Sequence, residues 1–218
     1  MLPPESWPFF RLTTARVLVC CGFALAALLA VGCGSGSSTE AQTDAARPVH
    51  FVGTEASPPQ PAPSLQLHNY PGESVDISQD KGKAVLITFI YTHCPDTCPL
   101  IVSHIKTALS LLGPKARDVQ VIAVSTDPRG DNRRTVTKFV DEHGMAGRMQ
   151  YLIGDKAELG RVWKDWNIVA KPAKAGRDLV EHSALIYGIG ASGKVTTLYP
   201  ANFRPAQLVH DVPLLAEQ

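Results

Sequence analysis

The sequence predicts an α/β domain, a single unit built on a central mixed β-sheet flanked by helices and joined by a tether to an N-terminal export signal or anchor. Three observations carry this. Short β-branched runs alternate with stretches of helical period through the body of the chain. Two late apolar runs flank a turn signal and lead into a closing helix, and a pair of cysteines follows the first long apolar run.

The N-terminal segment reads as an address. Arg11 and Arg16 precede an uncharged apolar run from Val17 to Val31. That run is shorter than the roughly 20 residues a spanning helix needs, and its basic flank and small-residue end are those of a secretory signal. It closes on Ala30-Val31-Gly32-Cys33, small residues before a cysteine as in a bacterial lipoprotein signal, where Cys33 would be lipidated and become the first mature residue. The alternative is an uncleaved signal anchor with Cys33 inert. Either way the rest of the chain is expected to be exported and attached to a membrane. Residues 34–63 are rich in Gly, Ser, Ala and Pro without helical or strand period, and Pro58-Pro59, Pro61 and Pro63 stiffen the end of this tether. The expected organisation is therefore 1–33 signal peptide or anchor, 34–63 tether and 64–218 domain.

Within the domain, Ala84 to Tyr91 is a β-branched and aromatic run suited to a buried strand. Leu100 to Leu112 places Ile101, Ile105, Leu109 and Leu112 on one helical face, and Gly113-Pro114 stops it. Val119 to Ser125 is a second strand. Asp131 to His143 is a helix with Val136, Phe139 and Val140 inward, closed by Gly144. Gln150 to Leu152 is a short strand, and Ala157 to Trp166 a helix that packs through Leu159, Val162, Trp163 and Trp166. Ala184 to Gly190 and Lys194 to Leu198 form a hairpin about Ala191-Ser192-Gly193, and Pro205 to Leu215 is the closing helix. This order, with paired cysteines after the first long strand, fits a thioredoxin-like fold.

Charge excludes one class of function. Lys and Arg number 21 against 20 Asp and Glu, a net charge of +1, so the chain lacks the basic footprint of nucleic-acid binding. The five cysteines are Cys20, Cys21, Cys33, Cys94 and Cys98. Cys20 and Cys21 read as small apolar residues of the signal, and no further cysteine provides a second staple, so this is not a disulfide framework.

Pro99 is tolerated only in the first turn of a helix, which puts Cys94 and Cys98 at or just before a helix N-terminus, where the dipole favours thiolate. Such a pair can form a disulfide or hold a soft metal. The three intervening residues, Pro95, Asp96 and Thr97, open the pair into a two-sulfur clamp. Sulfur favours Cu(I), and an added imidazole lets a site also hold Cu(II). Of His68, His93, His104, His143, His182 and His210, the best third ligand is His182, just before the strand Ala184 to Gly190. His93 is too close to Cys94 to swing into the same sphere, and His104, His143 and His210 fall on helices, where they are expected to face solvent.

The stretch Phe89-Ile90-Tyr91-Thr92-His93-Cys94-Pro95-Asp96-Thr97-Cys98-Pro99 resembles the metal motif of the Sco/SenC copper-chaperone family. Gly82-Lys83, Val124-Ser125-Thr126-Asp127-Pro128 and Glu181-His182-Ser183 follow the same family pattern, and the resemblance runs from about Ser64 to Leu215. It implies a thioredoxin-like domain that binds one copper through Cys94, Cys98 and His182, with Asp127 in a supporting role. It also implies delivery to the copper-site subunit of cytochrome c oxidase and a Cys94–Cys98 pair that cycles between dithiol and disulfide. In an oxidising compartment, the pair then needs a periplasmic thiol reductase as a second partner. Two other activities use the same pair: thiol-disulfide exchange, which needs only Cys94 and Cys98, and peroxide reduction, for which no motif is present.

Overall fold

A computed structural model describes residues 50–172, 180–182 and 184–218 of the chain, and of residues 172 and 180–182 the backbone alone. The signal segment, Cys33 and the start of the tether lie outside the described residues. Among the described residues, no helix is long and apolar enough to cross a membrane.

In chain order the strands are β1 (Thr54–Pro61), β2 (Gln66–Asn69), β3 (Ser74–Asp76), β4 (Ala84–Ile90), β5 (Val119–Ser125), β6 (Gln150–Ile153), β7 (Ala170–Pro172), β8 (Val180–His182), β9 (Leu185–Ile189) and β10 (Lys194–Pro200). The α-helices are α1 (Thr97–Leu112), α2 (Arg133–Glu142), α3 (Lys156–Asp165) and α4 (Pro205–Ala216). Eight strands form one sheet in the order β1-β10-β9-β4-β5-β6-β2-β3, while β7 and β8 pair as a separate hairpin. The β4, β5 and β6 strands run parallel. Their neighbours pair antiparallel, so the sheet is mixed, as the alternating pattern predicts.

The β4 strand is buried at every position, because helices cover both faces of the sheet. Its side chains alternate accordingly. Ala84, Leu86 and Ile90 enter the core built with α1, α2 and α4, and Val85, Ile87 and Phe89 enter the core built with α3. The predicted stripe of α1 is the buried one, Ile101, Ile105, Leu109 and Leu112, and Gly113 ends the helix with a φ of 55° that glycine adopts without strain. On the other face Phe89, Trp166 and Tyr187 form an edge-on aromatic cluster with centroids 5.3–6.0 Å apart.

Two differences from the sequence reading matter for the site. Residues 54–61, expected within the tether, form β1 on the sheet edge, with Thr54 opposite Leu198 and Gln60 opposite Val195. Prolines hide a strand from pattern reading, yet an edge strand tolerates them because one row of N–H groups needs no ladder partner. The helix expected from Asp131 begins instead at Arg133. Asn132 takes the N-cap, its side chain accepting from Arg134 N and Thr135 N at 3.0 and 3.2 Å, and Asp131 turns into the core with 5% of its surface exposed.

Candidate metal centre

The chain leaves β4 at Ile90 and turns through Tyr91, Thr92 and His93, with Cys94 N donating to Tyr91 O at 3.4 Å. Asp96 caps α1 by accepting from Thr97 N, and Pro99 sits in the first helical turn. The four-residue step therefore folds back on itself, and Cys98 N donates to Cys94 Sγ at 3.2 Å. Both residues are buried, Cys98 wholly and Cys94 with 9% of its surface exposed.

The Cys98 thiol is pushed far above the ordinary range, first by its hydrogen bond with Cys94 and next by burial, with Asp131 adding a smaller upward push and a Tyr91 backbone hydrogen bond opposing. The helix N-terminus was expected to favour thiolate here. For Cys98 the neighbouring sulfur and the loss of water outweigh it. A bound soft cation reverses the balance, because it takes the ligand as thiolate.

Beneath the loop lies a polar cluster that pattern reading did not single out. Asp131 Oδ1 accepts from Thr92 N at 2.9 Å and Thr92 Oγ1 at 2.7 Å. Its Oδ2 accepts from Ser125 Oγ at 2.6 Å and the Tyr151 hydroxyl at 2.9 Å. Burial raises the pKa of this carboxyl, and the Ser125, Thr92 and Tyr151 hydrogen bonds oppose the shift. The available signal was the adjacent pair Asp131-Asn132: only one of two capping residues can cap, and the other is released for a different task.

Asp127 stands just past β5. Its amide donates to Ser125 Oγ at 3.1 Å and its Oδ1 accepts from Arg129 N at 3.2 Å. Gly130 faces this carboxylate so closely that a Cβ there would collide with it and lie 3.1 Å from His93 Nδ1. Gly130→Ala is thus expected to displace Asp127 or His93, at a cost of about 1–2 kcal/mol. Denaturant unfolding measures the cost, and amide shifts confined to residues 91–94 and 127–131 would locate it; an unchanged midpoint and spectrum would contradict the close approach.

His182 lies on β8, opposite Ala170 of β7, and its side chain is outside the described residues. Three residues later β9 begins beside the end of β4, with Ile186 opposite Thr88 and Thr88 Oγ1 donating to Leu185 O at 3.3 Å. The start of β9 therefore lies at the end of the sheet from which Cys94 emerges. Among the described residues no three His, Cys, Asp or Glu side chains are grouped to hold a metal.

The helical histidines are not simply solvated. His104 is half-buried edge-on against Phe203 at 5.4 Å. His143 Nδ1 meets Phe139 O at 2.7 Å, and His210 Nδ1 meets Asp211 Oδ1 at 2.7 Å. His68 is exposed on β2.

Comparison with known proteins gives a consistent result. The SCO1/SenC family model matches residues 54–217. An SCO1 protein homolog of Bacillus subtilis is 28% identical over 136 residues, covering 61% of this chain and 70% of the relative. The mitochondrial SCO1 homolog of Homo sapiens is 24% identical over 158 residues, covering 68% of this chain and only half of the human protein. Among solved structures, Bradyrhizobium japonicum ScoI with copper bound superposes with a TM-score of 0.62 at 31% identity, over 70% of this chain and 97% of that one. The fold is thioredoxin-like, shared with solved Sco proteins.

Proposed function

Because this chain belongs to the SCO1/SenC family, we propose that it binds one copper ion through Cys94, Cys98 and His182. The site faces the extracytoplasmic side of a membrane and passes its copper to the copper-site subunit of cytochrome c oxidase. The observation that carries this reading is the folded-back cysteine pair, whose 3.2 Å contact between Cys98 N and Cys94 Sγ brings two soft donors to one turn. Thiolates select Cu(I), and the His182 imidazole extends the donor set to Cu(II). The copper bound by the Bradyrhizobium relative supports the same cargo here. Asp127 supports the loop from the side without ligating. Attachment is through lipidated Cys33 or, failing cleavage, through the signal segment itself.

Copper and redox state are linked at this site. The metal needs thiolate, so a Cys94–Cys98 disulfide cannot take it. A thiol reductase of the same compartment must therefore act first. The competing activity, thiol-disulfide exchange toward a partner's cysteines, uses the same two sulfurs and has no need of His182.

Copper stoichiometry and affinity on the full-length chain in detergent test this. The reduced chain is expected to bind one copper, and the oxidised chain none. His182→Ala is expected to keep Cu(I) on its two sulfurs and to lose tight Cu(II) binding. An unchanged Cu(II) affinity in that variant removes His182 from the ligand set. A reduced wild-type chain that takes up no copper yet exchanges thiols makes the protein an oxidoreductase.

A further inference from the structure

We propose that Asp131 is a positioning residue for the copper-binding loop: its carboxylate ties Thr92, two residues before Cys94, to β5 and β6, and so fixes where the Cys94 sulfur stands. This builds on the copper reading above and goes beyond it, since it gives Asp131 a task at the turn that leads to Cys94.

The geometry argues for a specific task. A buried carboxylate is costly unless it is paired or fully hydrogen-bonded. Among the described residues, no ion pair involves Asp131. Its acceptor capacity is instead divided among three residues of two kinds. Oδ2 takes the hydroxyls of Ser125, the last residue of β5, and Tyr151, on β6. These are rigid elements of the parallel core. Oδ1 takes both the amide and the hydroxyl of Thr92, which lies on the irregular turn leading to Cys94. A carboxylate can accept from two such directions at once, which no apolar residue of similar volume can do.

The rest of the turn explains why that tie counts. On its upstream side, Ile90 O is held by Thr126 N at 2.9 Å. On its downstream side, the Cys94 amide makes a long 3.4 Å bond back to Tyr91 O. Asp131 grips the residue between these points by backbone and side chain together. The effect extends one residue further. Thr92 gives its single hydroxyl proton to Asp131, so its oxygen faces His93 Nδ1, 3.2 Å away, as an acceptor. Thr92 and His93 are both ordered from the one carboxylate.

The test uses the full-length chain in detergent, reduced and loaded with copper, with Asp131→Ala, Asp131→Asn and Tyr151→Phe. Copper affinity by chelator competition and the copper(II)–thiolate absorption are the readouts. Asp131→Ala is expected to weaken copper about 10–100-fold, the range for groups that orient ligands from behind, and to shift the absorption. Asp131→Asn keeps an acceptor toward Thr92 and should restore both readouts. Tyr151→Phe removes one of the two anchors on Oδ2 and leaves the Ser125 anchor and both Thr92 bonds in place, so it should lower stability and weaken copper less than Asp131→Ala does. An Asp131→Ala chain with wild-type affinity and spectrum overturns the proposal, as does copper loss in Tyr151→Phe as large as that in Asp131→Ala. Should Asp131→Ala not fold, amide exchange in the wild-type chain decides: Thr92 N is expected to be protected, and rapid exchange there sinks the idea. If the wild-type chain binds no copper, the copper reading fails alone, and Thr92 protection with its loss in Asp131→Ala still judges Asp131.

Discussion

Cys98→Ser is expected to fold and to lose copper almost completely. Cys98 is fully buried in the first turn of α1, against Cys94. Serine matches its size, and the Cys98 backbone N–H that donates to Cys94 Sγ survives the change. The structural cost is that of a hydroxyl in a buried thiol's place, about 1–2 kcal/mol if it goes unpaired. The chemical cost is larger. A hard hydroxyl does not replace a thiolate for Cu(I), and the loss should exceed the roughly 10–100-fold that outer-shell changes produce. Chelator competition on the reduced full-length chain, beside its thermal midpoint, separates the two costs. Wild-type copper affinity in this variant would remove the cysteine pair from the metal site, whatever happened to stability.

Much of this site is legible in the sequence because its signals are local. The β-branched run that becomes β4 needs no tertiary information, nor does the i, i+4 spacing that buries Ile101, Ile105 and Leu109 of α1. Pro99 alone puts Cys98 in a first helical turn. What resisted reading depends on contacts between distant segments. The β1 strand is one such case: its prolines suppress any strand pattern, and only the exposed edge of β10 makes it a strand. Asp131 is another. Next to Asn132 it reads as the start of a helix, and only the approach of Thr92 from the turn after β4 and of Tyr151 from β6 shows that it points inward. The upward push on the Cys98 thiol is a third, since it comes from the second sulfur and from burial, neither of which the helix position reveals.

Asp211→Ala is expected to produce the largest loss of stability of the substitutions considered. In the sequence, Asp211 follows His210 in the middle of the closing helix and reads as an ordinary polar position. In the structure its carboxylate has no exposed surface. Its Oδ1 accepts from Val52 N at 2.9 Å and lies 2.7 Å from His210 Nδ1. Its Oδ2 accepts from Gly53 N at 2.8 Å and from the Tyr199 hydroxyl at 2.9 Å. Tyr199 in turn accepts from Thr197 Oγ1 at 3.0 Å. One carboxylate thus joins α4, β10 and the two residues that lead into β1. Alanine would strand the buried Gly53 N–H and a buried phenol at once, and would release the half-exposed Val52 N–H to water. Each orphaned group costs about 1–3 kcal/mol, and partial relaxation leaves an expected loss of about 3–4 kcal/mol, at the upper end for single substitutions. The denaturant midpoint should fall accordingly, and amide exchange at Val52 and Gly53 should become fast before that of β4 changes. The order follows from position: β1 is an edge strand with a single ladder partner, whereas β4 is paired on both sides and covered on both faces. A loss below about 1 kcal/mol, within the range of one ordinary hydrogen bond, would mean that the start of the domain is held by the β1–β10 ladder alone. Copper affinity is expected to stay unchanged in this variant, because Asp211 bonds Val52, Gly53, Tyr199 and His210, all outside the loop that carries Cys94.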